Sequence, residues 1–212
     1  MLSSLILITS LTLSAYFIGS TLCAVIVSRL FGLPDPRTTG SNNPGATNVL
    51  RTGNKKAAIL TLIGDSLKGV LAVWLTLLVI KQLNIANLNT SDLLVIPVVM
   101  AFFGHLYPVF FAFKGGKGVA TFLGVLAALH WPTGLIVMAL WLLVAMTSRY
   151  SALAAILAAI ATPFIYYGLT QHTLGTLAFS FMACLLVWRH KENIQRLLMG
   201  TESKIRLNQK SS

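Results

Sequence analysis

Five stretches of the chain, residues 2–27, 57–80, 93–113, 118–147 and 150–188, are almost continuously apolar, and within them only Asp65 and Lys68 carry formal charge. A helix needs about 20 apolar residues, at roughly 1.5 Å each, to cross the hydrocarbon core of a bilayer. Each stretch meets that length, so each predicts at least one membrane span. The last covers 39 residues and is punctuated by Gly168, Leu169, Thr170, Gln171 and His172, which predicts two spans joined by a short polar turn. The fourth is interrupted by His130, Trp131, Pro132 and Thr133, and reads as one kinked helix or two short ones.

Composition sharpens this picture. Of 212 residues, 56% are apolar and 10% charged, with a mean hydropathy of +0.79, whereas soluble domains carry about 25% charged residues. A soluble globule is excluded, and at this length a single domain over residues 1–212 is the expectation. The net charge of +11 implies anionic partners such as phospholipid head groups or phosphate esters. Nucleic acid is disfavoured, because no solvated basic domain exists to carry it. Cys23 and Cys184 lie inside apolar runs and read as small packing residues rather than a disulfide or zinc frame. No charge precedes Arg29, so the first stretch lacks the basic start of a signal peptide and reads as a retained span.

Basic residues accumulate on cytoplasmic loops. Here 14 of the 16 fall in four clusters: five in residues 29–56, then Lys114 with Lys117, then Arg149, and six in residues 189–210. With all four clusters on one side, the stretches 118–147 and 150–188 must each leave that side and return. The expected fold is therefore an all-α integral membrane bundle of seven crossings, some short, with the N-terminus outside and the C-terminus cytoplasmic. Half of 118–147 is only about 15 residues, or about 22 Å, which makes five full spans the smaller alternative.

Three polar segments lie on the inferred cytoplasmic side. The first runs from Gly40 and Ser41 through Asn43, Gly45, Thr47 and Asn48 to Arg51. Glycines, small hydroxyls and amides let backbone N–H groups approach an anion, and Arg51 adds a cationic fork; an ordinary turn-rich loop fits the same residues. The second joins Gly104-His105 to Lys114-Gly115-Gly116-Lys117-Gly118 before an apolar helix, which suits a phosphate at a helix start. Its spacing is not that of a Walker A loop. Two topology-setting lysines are the plainer alternative. The third, residues 189–202, places His190 and Asn193 three apart on one helical face, able to hold a hydroxyl, although a basic juxtamembrane helix can simply bind lipid. Asp65 and Lys68 are likewise three apart and neutralise one another, as a structural or a catalytic pair. His130 and His172 lie in the expected external turns and read as interfacial.

Five acidic residues leave little to hold magnesium, no Gly-x-Ser-x-Gly elbow exists, and no histidine has a carboxylate five residues on. What remains suits a donor that is already activated, where orientation and charge neutralisation carry the rate. A phosphate-ester transporter would show internal repeats with matching broken helices, and the three segments do not repeat one another. A lipid-binding scaffold gives no reason for three glycines around two lysines.

Together, the three segments and Asp65 to Lys68-Gly69 resemble the bacterial glycerol-3-phosphate acyltransferases that use acyl phosphate, the PlsY family, across essentially the whole chain. One departure is Asn42, where the family often has Gly. The resemblance implies acyl transfer from acyl phosphate to the 1-hydroxyl of sn-glycerol 3-phosphate, releasing phosphate and 1-acylglycerol 3-phosphate. It further implies a seven-span fold in the bacterial inner membrane, with a cytoplasmic active site. By motif position, Arg51 and Lys117 would neutralise substrate phosphates with help from Lys114, while Ser41, His190 and Asn193 would hold and orient the acceptor. Gly115, Gly116 and Gly118 would admit phosphate to the backbone, and Gly40, Asn43, Thr47, Asn48 and His105 complete the expected binding set. A substrate phosphate would be the general base, with His190 second. No metal, cofactor or obligate protein partner is expected; the partners are the two substrates and membrane lipid.

Overall fold

The computed structural model describes residues 2–83 and 90–205, and within these every regular element is helical. Arg206 and Lys210, two of the basic residues used above, lie outside the described residues. The elements are α1 (Leu2–Gly19), α2 (Cys23–Leu30), α3 (Ala46–Leu50), α4 (Lys55–Gln82), α5 (Thr90–Leu106), α6 (Val119–Leu129), α7 (Trp131–Ser148), α8 (Ser151–Thr170), α9 (Thr173–Arg189) and α10 (Lys191–Leu198). Five segments are long and apolar enough to cross a bilayer, Ile6–Leu30, Lys55–Gln82, Asp92–Phe111, Trp131–Ser148 and Ser151–Thr170. The number is six if α9 and α10, which meet at 58°, count as one bent span. Val119–Leu129 is apolar but short.

Local chemistry sets the breaks. Asn54 caps α4 by accepting the Ala57 N–H at 2.9 Å. The fourth apolar stretch is two helices, because His130 leaves helical geometry at φ −149° and Pro132 stands in the first turn of α7. Gln171 (φ 53°) and His172 divide the last stretch where the polar turn was expected. The first stretch, read as one helix, instead breaks after Gly19, and the Thr21 carbonyl freed by the break accepts from Lys68 Nζ at 2.6 Å.

Helices approach closely through small residues, as expected where lipid supplies no hydrophobic drive between helices. A Cβ on Gly124 would lie 2.1 Å from the Ser66 carbonyl oxygen, and one on Gly19 2.0 Å from that of Ala101. These contacts lock α4 to α6 and α1 to α5. Between α5, α6 and α9, Phe102, Phe122 and Phe179 are buried, with ring centroids 6.1 Å and 5.8 Å apart along the row. Large apolar side chains such as Trp74, Leu143, Phe164 and Phe181 face outward, the inverse of a soluble surface.

Inside this packing, Asp65 and Lys68 form an ion pair at 3.0 Å. The Thr121 hydroxyl donates to the Asp65 carbonyl at 3.0 Å, and His105 Nδ1 lies 3.2 Å from that hydroxyl. The pair thus ties α4 to the α1–α2 break, and the same turn of α4 meets α6 and the end of α5.

Candidate active site

The first polar segment folds around Asn48. Its Oδ1 accepts the Ser41 N–H at 3.0 Å, and its Nδ2 donates to the Pro36 and Thr39 carbonyls at 2.8 Å and 3.0 Å. Asn48, expected to bind phosphate, is therefore engaged in shaping the loop. Gly40 has φ +60°, and a Cβ there would sit 2.3 Å from Asn48 Oδ1, so only glycine fits. Asn42 takes φ 54°, a left-handed conformation that asparagine tolerates better than most side chains. The departure from the family's glycine is thus accommodated in place. Residues 46–50 form a short helix, so the segment is more than the turn-rich loop that is its plainer alternative. Thr47 Oγ1 lies 3.2 Å from Ser151 Oγ, Arg51 Nη2 donates to Ser203 Oγ, and Ser41 is half-buried.

The second segment wraps over His105. The Gly116 N–H donates to the His105 carbonyl at 3.1 Å. A Cβ on Gly115 would lie 2.1 Å from that carbonyl oxygen, and one on Gly116 would lie 2.3 Å from His105 Nε2 and 3.1 Å from the Pro44 carbonyl oxygen. Gly116 is thus where the first and second segments touch. Gly118 has φ +82°, and a Cβ there would strike Phe102 at 2.4 Å. His105, read as a phosphate ligand, is buried behind the loop it supports. Lys114 is exposed.

The third segment closes the ring. His190 stands at the joint of α9 and α10, so it and Asn193 do not share one continuous helix as the spacing suggested, yet both are buried. Lys117 Nζ donates to Asn193 Oδ1. Asn193 Nδ2 donates to Glu202 Oε1 at 2.8 Å, and Arg196 Nε to Glu202 Oε2 at 2.7 Å. Burial lowers the Lys117 ammonium from its ordinary value to about 8, with the Arg196 and Arg189 charges acting the same way and Glu202 and Glu192 opposing. Burial also lowers the His190 imidazole to about 4, partly offset by its bond to the Leu186 carbonyl at 2.8 Å. The neutral ring then carries its proton on Nδ1, by that bond, and presents Nε2 as an acceptor.

One residue escaped the sequence reading. Arg189, counted there only as a topology charge, donates from Nη2 to the Gly115 and Gly116 carbonyls at 2.9 Å and 3.0 Å, and from Nε to Gly116 at 3.2 Å. Its guanidinium also lies over the Tyr107 ring, 5.5 Å from the centroid.

Cationic and amide groups from three distant parts of the helical bundle thus meet at one end of it. The chain matches the family described as glycerol-3-phosphate acyltransferase over residues 9–200, and it belongs to that family. It is 50% identical over 204 residues to the glycerol-3-phosphate acyltransferase of Ralstonia nicotianae, covering 96% of this chain and 97% of that one. It is 53% identical over 196 residues to the enzyme of the same name from Burkholderia pseudomallei, covering 92% and 93%. Among solved structures it resembles PlsY (YgiH), an integral membrane glycerol 3-phosphate acyltransferase, in its glycerol 3-phosphate form, with a TM-score of 0.84, 35% identity, and 94% and 96% of the two chains covered. The lysophosphatidic acid form of PlsY gives a TM-score of 0.81 at 34% identity, covering 93% and 94%.

Proposed function

We propose that this protein transfers a fatty acyl group from acyl phosphate to the 1-hydroxyl of sn-glycerol 3-phosphate. The observation that supports the reading is the convergence of the three segments: Gly116 against Pro44, Lys117 on Asn193, and Arg51 on Ser203, the residue that follows the third segment. Arg51 and Lys117 neutralise the substrate phosphates, and Lys114 adds positive charge at the rim. Ser41, Asn193 and the Nε2 acceptor of His190 hold the glycerol hydroxyls. The C1 oxygen attacks the acyl carbonyl carbon, the new ester C–O bond forms, and the bond from acyl carbon to phosphate oxygen breaks. The hydroxyl proton passes to a phosphate oxygen, and inorganic phosphate leaves. His190, held near 4, is a weak base at neutral pH, which supports the substrate phosphate in that role. The mixed anhydride is activated already, so neither an acyl-enzyme nor a metal is needed.

The proposed topology has seven crossings, counting α6 and α9 separately, with the N-terminus outside and the C-terminus and site on the cytoplasmic side of the bacterial inner membrane. Positive charge around the site, at Arg51, Lys55, Lys56, Lys114, Lys117, Arg149, Arg189 and Lys191, supports that orientation. The deciding experiment gives purified protein in detergent labelled glycerol 3-phosphate with acyl phosphate or acyl-CoA, in chelator. Labelled 1-acylglycerol 3-phosphate is expected from acyl phosphate; product from acyl-CoA alone would overturn the donor, and no product from either would overturn the reaction.

A further inference from the structure

Arg189 holds two consecutive carbonyls of the glycine loop, and peptide geometry turns that grip into a statement about the opposite side of the loop. In a trans peptide the carbonyl and the following N–H point in opposite directions. The Gly115–Gly116 peptide is occupied on both sides, its carbonyl by Arg189 and its N–H by the His105 carbonyl. In the next peptide the Gly116 carbonyl again faces Arg189, so the Lys117 N–H faces away from it, and among the described residues no acceptor meets that N–H. A backbone donor without a protein acceptor, beside the same residue's ammonium, is able to contact an anion.

We propose that Arg189 is a positioning residue, whose guanidinium fixes the Gly115 and Gly116 carbonyls so that the Lys117 backbone N–H is aimed at the substrate phosphate. A residue serving topology alone would project into water. Arg189 is instead half-buried, with Tyr107 on its ring-facing side and two carbonyls along its edge. Nη2 alone spans two carbonyls while Nε makes a third contact, a fork that a lysine ammonium does not reproduce. Among the described residues no carboxylate pairs with Arg189, so its charge also remains available to favour an anion nearby.

The inference rests on the acyltransfer reading, and the experiment separates the two. Wild-type turnover is measured first; an inactive wild type would count against that reading and leave the amide titration below as the test of this one. Protein labelled with 15N-lysine in nanodiscs is titrated with glycerol 3-phosphate and, separately, with inorganic phosphate, following the Lys117 amide. The wild-type amide is expected to shift downfield with saturation. Arg189→Lys keeps the charge but loses the fork. It is expected to raise KM for glycerol 3-phosphate roughly tenfold, with kcat changing less, and to lose most of the amide shift, while the melting temperature stays near wild type. Arg189→Met, lacking charge and fork, is expected to raise KM further. Wild-type KM and amide response in Arg189→Lys would overturn the proposal, because charge alone would then suffice. So would a lowered melting temperature with unchanged KM, which marks a purely structural contact.

Discussion

Helix α9 begins at one histidine and ends at another, and the two ends of the bundle use them differently. At the start, His172 Nδ1 accepts the Gly175 N–H at 3.1 Å while Nε2 lies 2.8 Å from Asp92 Oδ1, so both ring nitrogens are committed. His130 at the same end caps α7, with Nδ1 2.7 Å from the Thr133 hydroxyl, and Tyr166 packs between the two rings. His130, Tyr166 and His172 line a cavity of about 380 Å³ with Leu77, Leu94 and Leu129. At the finish, His190 spends one nitrogen on the Leu186 carbonyl, and among the described residues the other takes no hydrogen-bond partner while the ring feels the Lys117 charge. Residue type does not separate structure from chemistry here. What separates them is whether polar capacity is left over once the backbone has been satisfied.

That contrast can be broken at either end. The largest effect is expected for Lys117→Ala, which removes a half-buried cation from the proposed anion site: kcat/KM should fall roughly 10²- to 10³-fold, with membrane insertion and melting temperature retained. His190→Ala should follow, with a loss of roughly 10- to 100-fold measured the same way, since one neutral hydrogen-bond acceptor is worth less than a charge. The pH profile of kcat/KM tests the electrostatics of that end. The Lys117 ammonium loses its proton near 8, so activity should hold below about pH 8 and decline above it, about tenfold per unit once Lys117 is largely neutral. An unperturbed lysine would keep the plateau to about pH 10. At the opposite end, His172→Ala should leave turnover unchanged and cost about 1 kcal/mol through the lost cap, read as a lower melting temperature. Smallest of all, Asn42→Gly should alter stability by less than about 0.5 kcal/mol, whereas Asn42→Val should cost about 1–2 kcal/mol, because a β-branched side chain resists positive φ.

Features governed by nearby residues were legible in the chain. The break at His130-Trp131-Pro132 and the turn ending at His172 follow from local chemistry, and the structure places a helix boundary at each. Features decided by a distant partner were not. At the break after Gly19, Lys68 in α4 takes up the Thr21 carbonyl, and nothing near residue 21 announces that donor. Asn48 and His105 stand among the motif residues, and the partners of their side chains are equally hidden in the sequence: Asn48 bonds the Pro36, Thr39 and Ser41 backbone, and the His105 ring meets the Thr121 hydroxyl. Arg189 is the reverse case, since a cation next to an apolar run looks like a topology signal until its carbonyl partners on another element are seen. The bend at His190, which puts α10 at 58° to α9, has no proline or glycine to mark it.

Helix α6 has 11 residues, a rise of only about 16 Å, against a hydrocarbon thickness of about 30 Å. In a seven-crossing arrangement with His130 at the outer surface, the Gly115–Gly118 turn lies well below the level of the surrounding head groups. Under the proposed reaction, the water-soluble reactant would have to descend to that depth to meet an acyl chain lying in the leaflet, and the lysolipid would form at the level where its tail belongs.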